Sequence, residues 1–501
     1  MRSTLAMSSK KVLLIIIDAL SSEYTVPAIR RGALPNLGKL AQVGQLREES
    51  VSVFPSLTPV ATSSLATGKY PGDHGVLGFH WYDRESGDEA YHGDDFWVVT
   101  KLGFGHFFQS CLQTLNRERL RTKTVFQLLA ANRRTSCSLN YLIYKGDREH
   151  QASVPAWFNW HPEVPGIQSL LGPDVLFFGD IVSSEFALEE DAPQRKGGAF
   201  GRFGFNDENT GRLLEELPFF NPRPDFTIAY FPDHDYDAHK VGLAGALSKV
   251  EAVDAVLGRF LDQLGGMERA LQDFTILVTG DHSQSDMHSD ETEASIRLDL
   301  LFGAEVVSPP GDWKDKSKLK VCPDMRCAQI AYTDEFSLSP ETLVEMLLNE
   351  PRIDQVIEPS PKADFDFQVR TADRGALLFS LDPSSPFRDA HGNRWRWKGG
   401  LSAVDASMEG ELITYGDYPN ALERIARAFN GNVQEIWATA RVGHEFALKE
   451  TSVHVGGGSH GSLHRLDSLS PLLAAGLPEG IDLPEHPRAV DVTPLCMKIL
   501  E

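Results

Sequence analysis

Three apolar runs set the terms on which this chain can fold: Val12–Ile17, Phe226–Phe231 and Phe274–Val278. None alternates apolar with polar residues, and each is bounded by polar turns. A strand that is apolar on both sides must be covered on both faces, which is the situation of a parallel sheet between layers of helices. Leu37–Val43, Thr124–Ala131 and Leu247–Leu264 carry helical periodicity, the last after a turn at Gly242–Gly245. The expected fold class is therefore α/β, with a doubly wound, mostly parallel central sheet whose ligands lie beyond the carboxyl ends of its strands. Asp18 closes the first run and Asp281 follows the third, so both carboxylates are expected at that edge.

At 501 residues the chain exceeds one ordinary core and holds roughly two to four domains' worth of length. The texture changes along it. Trp157–Asn221, rich in Pro, Gly and Phe, reads as cap-like loops and short helices. From about 302 to 446, Pro-rich pieces alternate with short strand candidates such as Ala376–Ser380 and a helix at Asn420–Phe429. The expected organisation is a core of 10–301 and 453–501, with a smaller α/β subdomain inserted at 302–446.

Composition narrows the function. Hydrophobic and charged contents of 42% and 24% are those of a soluble globular protein. A formal charge of −22 argues against a nucleic-acid duplex as partner, because phosphate backbones are bound by clustered Lys and Arg. An acidic chain that handles an anionic substrate needs positive charge locally, and metal ions supply it. The five cysteines (Cys111, Cys137, Cys322, Cys327, Cys496) form neither a disulfide framework nor a paired zinc spacing, and read as free thiols. Lys10-Lys11 and the run after them imitate a signal peptide, but the run is short, ends in Asp18 and lacks a small-residue cleavage site. No run reaches the ~18 apolar residues of a membrane span. A cytoplasmic chain acting on a small anionic substrate, away from membranes, is expected.

Four segments carry the chemistry. In Phe54-Pro55-Ser56-Leu57-Thr58-Pro59, Pro59 suits the first position of a helix and Thr58 its N-cap. Free N–H groups at such a helix start can hold an anion, with the Thr58 hydroxyl beside it. That hydroxyl is a poor nucleophile unless a metal or base takes its proton. The segment Asp233-His234-Asp235-Tyr236-Asp237-Ala238-His239 follows an apolar run; Asp235 and His239, spaced i, i+4, aim at one point on a helical turn. Asp233, His234 and Asp237 are rival ligands. Asp281-His282 just beyond a strand suits a carboxylate–imidazole metal site. In Gly456-Gly457-Gly458-Ser459-His460-Gly461, the glycines let backbone wrap closely around a ligand-bearing histidine.

Together these segments resemble the alkaline phosphatase superfamily, and within it the type I phosphodiesterase/nucleotide pyrophosphatase branch. The resemblance covers Lys11 to about Gly75, Phe226 to about Ser285, and Gly456 to the C-terminus. It implies a small phosphorylated substrate and an alkaline phosphatase-like core in which Thr58, in the pattern Phe-Pro-x-x-Thr, is the nucleophile that becomes a phospho-threonine. It implies two divalent metal ions, one on Asp18, Thr58, Asp281 and His282, the other on Asp235, His239 and His460. Carboxylate and imidazole ligands suit zinc, with manganese the alternative. His74 falls in a tract where the family's histidine is structural.

Two positions depart from the branch. Ala61 stands where members commonly carry an asparagine that binds a phosphoryl oxygen, and Ser283 stands where a glycine usually follows Asp-His. A replacement donor would come from Trp157–Asn221 or from Lys101. The first departure leaves the preference for diester over monoester open. The favoured reading is a phosphodiesterase or pyrophosphatase; a phosphomonoesterase, phosphonate hydrolase or mutase on the same core is the alternative, ahead of a non-catalytic metal-binding protein.

Overall fold

A computed structural model describes residues 10–83, 86–92, 110–152, 169–183, 197, 199–308, 313–429, 434–449 and 451–501. The three apolar runs become the strands Lys11–Ile17, Phe226–Phe231 and Phe274–Thr279, side by side and parallel, with Lys11–Ile17 in the middle. They belong to an eight-stranded sheet. Its order is Gln45–Val51, Leu469–Ala475, Phe274–Thr279, Lys11–Ile17, Phe226–Phe231, Ser136–Leu139, Val175–Phe178, Val182–Ser183. The five strands from Phe274–Thr279 to Val175–Phe178 are parallel; Leu469–Ala475 and Val182–Ser183 pair antiparallel at either side.

The absence of alternation in Lys11–Ile17 is explained by its two faces. Val12, Leu14 and Ile16 enter one apolar cluster, and Leu13, Ile15 and Ile17 enter another on the opposite side. Side chains alternate across a strand, so both sets must be apolar when both faces are covered. Helices Pro35–Val43 and Asp207–Glu216 help to cover the second face through Leu37, Leu40, Leu213 and Leu214.

The Leu247–Leu264 expectation captured only the later part of a longer helical run, Asp233–Gln263, which is broken at Gly242 (φ 72°, ψ 167°). A side chain there would be strained in that conformation and would meet Asp286 Oδ1 at 2.7 Å. The expectation of loops and short helices over Trp157–Asn221 needs correction at one strand and includes one of the helices it foresaw. Val175–Phe178 is a strand of the central sheet, and Asp207–Glu216 is a three-turn helix with Asn206 as its N-cap. A four-residue apolar run is too short for periodicity to distinguish from a buried loop. Much of the rest of Trp157–Asn221, and Lys101, lie outside the described residues.

A second sheet, seven-stranded and antiparallel throughout, runs in the order Lys320–Asp324, Cys327–Ala331, Glu435–Ala440, Ile353–Pro359, Phe367–Thr371, Gly375–Leu381, Trp395–Gly399. It shares an apolar cluster with the segment around Thr58: Phe54, Leu57 and Val60 join Phe379, Trp395 and Trp437, and the Phe54 and Trp437 rings lie 6.1 Å apart, edge to face. Among the described residues, no helix is long and apolar enough to cross a membrane.

Candidate active site at the carboxyl edge of the sheet

The strand register aligns the ends that matter. Ile17 pairs with Phe231 and Ile16 with Thr279, so Asp18, the Asp233 helix and Asp281 start from one edge. Asp18 N–H donates to Phe231 O (3.0 Å), which fixes the turn leaving the first strand. Asp281 is tied across to that turn: its Oδ1 accepts from Ala19 N–H at 3.2 Å and from His282 N–H at 3.0 Å. A two-residue ladder, Ser285–Asp286 against Gly458–Ser459, brings His460 from the end of the chain beside His282. Their rings stack at 3.9 Å and 17°.

The glycines before His460 are required by close approach. A Cβ on Gly457 would sit 1.9 Å from His239 O, and one on Gly458 would sit 2.2 Å from Gln284 Oε1. The backbone therefore wraps around the helix that carries His239, and His239 Nδ1 meets Gly458 O at 2.8 Å.

The seven expected residues converge as two groups with His282 between them. Asp18, Asp281 and His282 offer atoms within 4.8 Å of one another, and so do Asp235, His282 and His460. His239 Nε2 lies 3.3 Å from Asp235 Oδ2, on the outer side of the second group. The Thr58 hydroxyl, almost fully buried, is 3.0 Å from His282 Nε2. Of the rivals, Asp233 pairs with Arg202 and Asp237 with Lys249 (3.3 Å), while His234 contacts the backbone oxygen of Asp18 at 2.9 Å.

The donor set fits divalent cations. Asp18 Oδ1, Asp281 Oδ2 and His460 Nε2 are buried and have no hydrogen-bond partner among the described residues. Buried polar atoms are costly when unpaired. Asp18 Oδ1 and Asp281 Oδ2 lie 3.4 and 3.5 Å from His282 Nε2, and His460 Nε2 lies 3.7 Å from Asp235 Oδ1, spacings that a cation in each group would satisfy. The surroundings of the carboxylates set which charged forms they favour. Burial, then the charges of Asp235 and Asp281, push Asp18 well up; burial also pushes Asp281 up, against the pull of His282. Burial would raise Asp235 too, but His239 beside it, with His460 and His282, holds it well below the usual range. The ring Nδ1 atoms face carbonyl oxygens: His239 to Gly458 O, His460 to Ser56 O (2.8 Å) and His282 to Ser283 O (3.1 Å). Such contacts fix the tautomer and turn Nε2 toward the centre of the cluster.

The start of the Thr58 helix differs from expectation. The helix runs Thr58–Thr67 with Leu57 as its N-cap, so Thr58 is the first helical residue and Pro59 the second. The hydroxyl does not cap the helix and faces His282 instead. Val60 and Ala61 N–H both donate to Leu57 O (3.0 and 2.8 Å), which leaves Thr58's own N–H as the donor of this turn without a partner among the described residues. The expected cradle of several free N–H groups is reduced to one. Ala61 is fully buried, in one apolar cluster with Leu57, Val60 and Leu65.

Residues that motif reading missed support the ligands from behind. Tyr230, in the strand Phe226–Phe231, donates its hydroxyl to Asp18 Oδ2. Gln284 donates to Asp235 Oδ1 at 2.5 Å. Gln284 was findable, two residues past His282; Tyr230 was hidden inside an apolar run.

His74 is structural, as its tract implied. It is fully buried, with Nδ1 accepting from Val76 N–H (3.2 Å) and Nε2 2.9 Å from Ser64 Oγ, on the helix that begins at Thr58. Burial pushes its pKa down to about 3. Between that value and the unfolded value near 6.5, only the unfolded chain takes up the proton, so His74 makes stability fall as pH falls. Chemical denaturation at pH 7 and pH 5 should show wild type losing about 2 kcal/mol more than His74→Asn over this interval. Equal losses would mean that His74 is not held neutral.

Parallel strands that deliver two carboxylate–imidazole groups and a buried hydroxyl to one edge form the arrangement expected of an alkaline phosphatase-like hydrolase. The family model for type I phosphodiesterase / nucleotide pyrophosphatase matches residues 12–374, and the chain belongs to this family of hydrolases acting on phosphodiester and pyrophosphate bonds. His460 lies beyond the matched stretch. Among solved structures, phosphonoacetate hydrolase from Sinorhizobium meliloti 1021 in complex with phosphonoformate is 15% identical (TM-score 0.59, covering 99% of this chain and 97% of that one). Murine ectonucleotide pyrophosphatase/phosphodiesterase 5 is 13% identical (TM-score 0.57, 98% and 95%). An inactive threonine-to-alanine variant of that murine protein, in complex with AMP, is 14% identical (TM-score 0.56, 98% and 95%). At these identities the likeness establishes the fold.

Proposed function

We propose that the chain cleaves phosphodiester or pyrophosphate bonds through a phospho-threonine formed on Thr58, with two divalent cations, zinc in the first instance. The observation that carries this reading is the set of buried atoms without a hydrogen bond among the described residues (Asp18 Oδ1, Asp281 Oδ2 and His460 Nε2) in the two groups that share His282, whose Nε2 also meets the Thr58 hydroxyl. Asp18, Asp281, His282 and Thr58 would hold one cation; Asp235, His239 and His460 would hold the other. Such a pair lowers the pKa of an attacking hydroxyl and neutralises charge on a leaving oxygen.

Thr58 Oγ1 gives up its proton and forms a bond to phosphorus as the bond to the leaving oxygen breaks, and the leaving oxygen takes a proton. Water then attacks the same phosphorus, the Oγ1–P bond breaks, and Thr58 is reprotonated. The single free N–H of Thr58 serves a non-bridging oxygen. Tyr230 and Gln284 keep the carboxylates of Asp18 and Asp235 oriented through both steps.

A second reading, a phosphomonoesterase or phosphonate hydrolase on the same residues, is favoured by Ala61, whose apolar burial removes the branch's usual phosphoryl-oxygen donor. Turnover of bis-(p-nitrophenyl) phosphate against p-nitrophenyl phosphate, before and after chelation, decides between them. We expect chelator-sensitive turnover with the diester preferred. A monoester preference would move the chain to the second reading, and chelator-resistant turnover would end both. We also place the reaction in the cytoplasm, because Cys137, Cys322, Cys327 and Cys496 are buried free thiols, as a reducing compartment keeps them. Recovery of the chain outside the cytoplasm on cell fractionation would overturn that placement.

A further inference from the structure

One buried carboxylate outside the cluster has no part in the chemistry described above, yet it holds the segment that carries His460 at two points. Glu445 opens the short strand Glu445–Ala447 and is almost fully buried. Its Oε1 accepts from His454 N–H at 2.8 Å, and its Oε2 lies 3.1 Å from His454 Nδ1. The same Oε2 accepts from Ser459 Oγ at 2.5 Å, one residue before His460. The His454 ring, held in this way, stacks on His239 at 4.1 Å and 29°.

We infer that Glu445 is a positioning residue for the Asp235–His239–His460 half of the site, orienting His239 through the stacked ring of His454 and His460 through Ser459. The inference rests on the metal reading proposed above. The physical reason is geometric. His239 lies on the outer side of the cluster, with one ring face against His454 and Nε2 3.3 Å from Asp235 Oδ2, and its Nδ1 is bonded to Gly458 O. That bond is itself part of the turn that Ser459 belongs to. Releasing Glu445 loosens both the ring and the turn. Asp18 and Asp281 are secured by other groups, Tyr230 and the N–H groups of Ala19 and His282, so the orientation of these two carboxylates does not depend on Glu445. An asymmetric loss follows, and a general loosening of the fold would not produce it.

The test titrates the full-length chain, stripped with chelator, with Zn2+ against a chromophoric competitor. Wild type is expected to take up two equivalents tightly. Glu445→Ala should keep one affinity and lose 10–100-fold in the other, the range typical when a group supporting a metal ligand is removed. Its turnover should recover at high Zn2+. Glu445→Gln, which keeps the shape but cannot accept at both ends, should shift the same single affinity by less, and it serves if the alanine variant does not fold. Two unchanged affinities, or equal weakening of both, would overturn the inference while leaving the metal reading intact. A wild-type chain that takes up no Zn2+ would remove the metal reading and this inference with it.

Discussion

Thr58→Ala should fold as wild type does and turn over roughly 10^3–10^6-fold more slowly, the range seen when a covalent nucleophile is removed and only positioning remains. The structure sharpens this expectation. A helix N-cap substitution costs about 1 kcal/mol, but the N-cap here is Leu57, and Thr58 Oγ1 makes no capping bond. The side chain's contact is with His282 Nε2, so its loss costs the helix little. With Asp18, Asp281 and His282 left to hold the cation, melting temperature and metal content should move little while kcat collapses. Thr58→Ser, which keeps the hydroxyl, should retain part of the activity. A Thr58→Ala protein turning over at the wild-type rate would show that water attacks directly and that no phospho-threonine forms.

Stripping the chain with EDTA should abolish turnover and also lower Tm, with both restored by added Zn2+. Ligands drawn from segments as distant as Asp18 and His460 meet only in the folded state. Binding to that state alone adds RT ln(1 + [L]/Kd), about 4 kcal/mol at a thousandfold excess over Kd. Removal also leaves Asp18 and Asp281 facing Asp235 with no cation between them, and burial already pushes the first two up. The loss of Tm should scale with free metal concentration across a titration, as mass action requires. Unchanged turnover and unchanged Tm after chelation would mean that the carboxylates and imidazoles pair among themselves and hold no metal.

The central sheet and the candidate cluster were legible wherever local pattern and global role coincided. An apolar strand such as Lys11–Ile17 announces its own burial on two faces, and the residue that ends it announces the sheet edge. Asp235 and His239 were readable because one helical turn sets their separation. What failed was read from short or irregular stretches. Val175–Phe178 is too brief to show a period. Thr58 was placed one position early because Pro59 is acceptable at either of the first two helical positions, and only the φ and ψ of Leu57 settle which residue is the cap. The supporting groups were out of reach for a different reason. Tyr230 and Glu445 are single residues whose partners, Asp18 and His454, are set by strand register or by a folded turn.

By itself, then, the sequence determined which residue types could reach the edge of a parallel sheet, and in what order along the chain. Burial free energy and helix periodicity are local enough to be written in runs of a few residues. Only the tertiary structure decided that His282 stands between the two groups, that Val60 and Ala61 N–H are already used by Leu57, and that Ala61 lies in an apolar cluster. It alone decided that Glu445 reaches both His454 and Ser459. These relations, some between neighbours and some between residues far apart in the chain, are fixed by packing and hydrogen bonding in the folded state, and no pattern along one strand or helix encodes a distance to another.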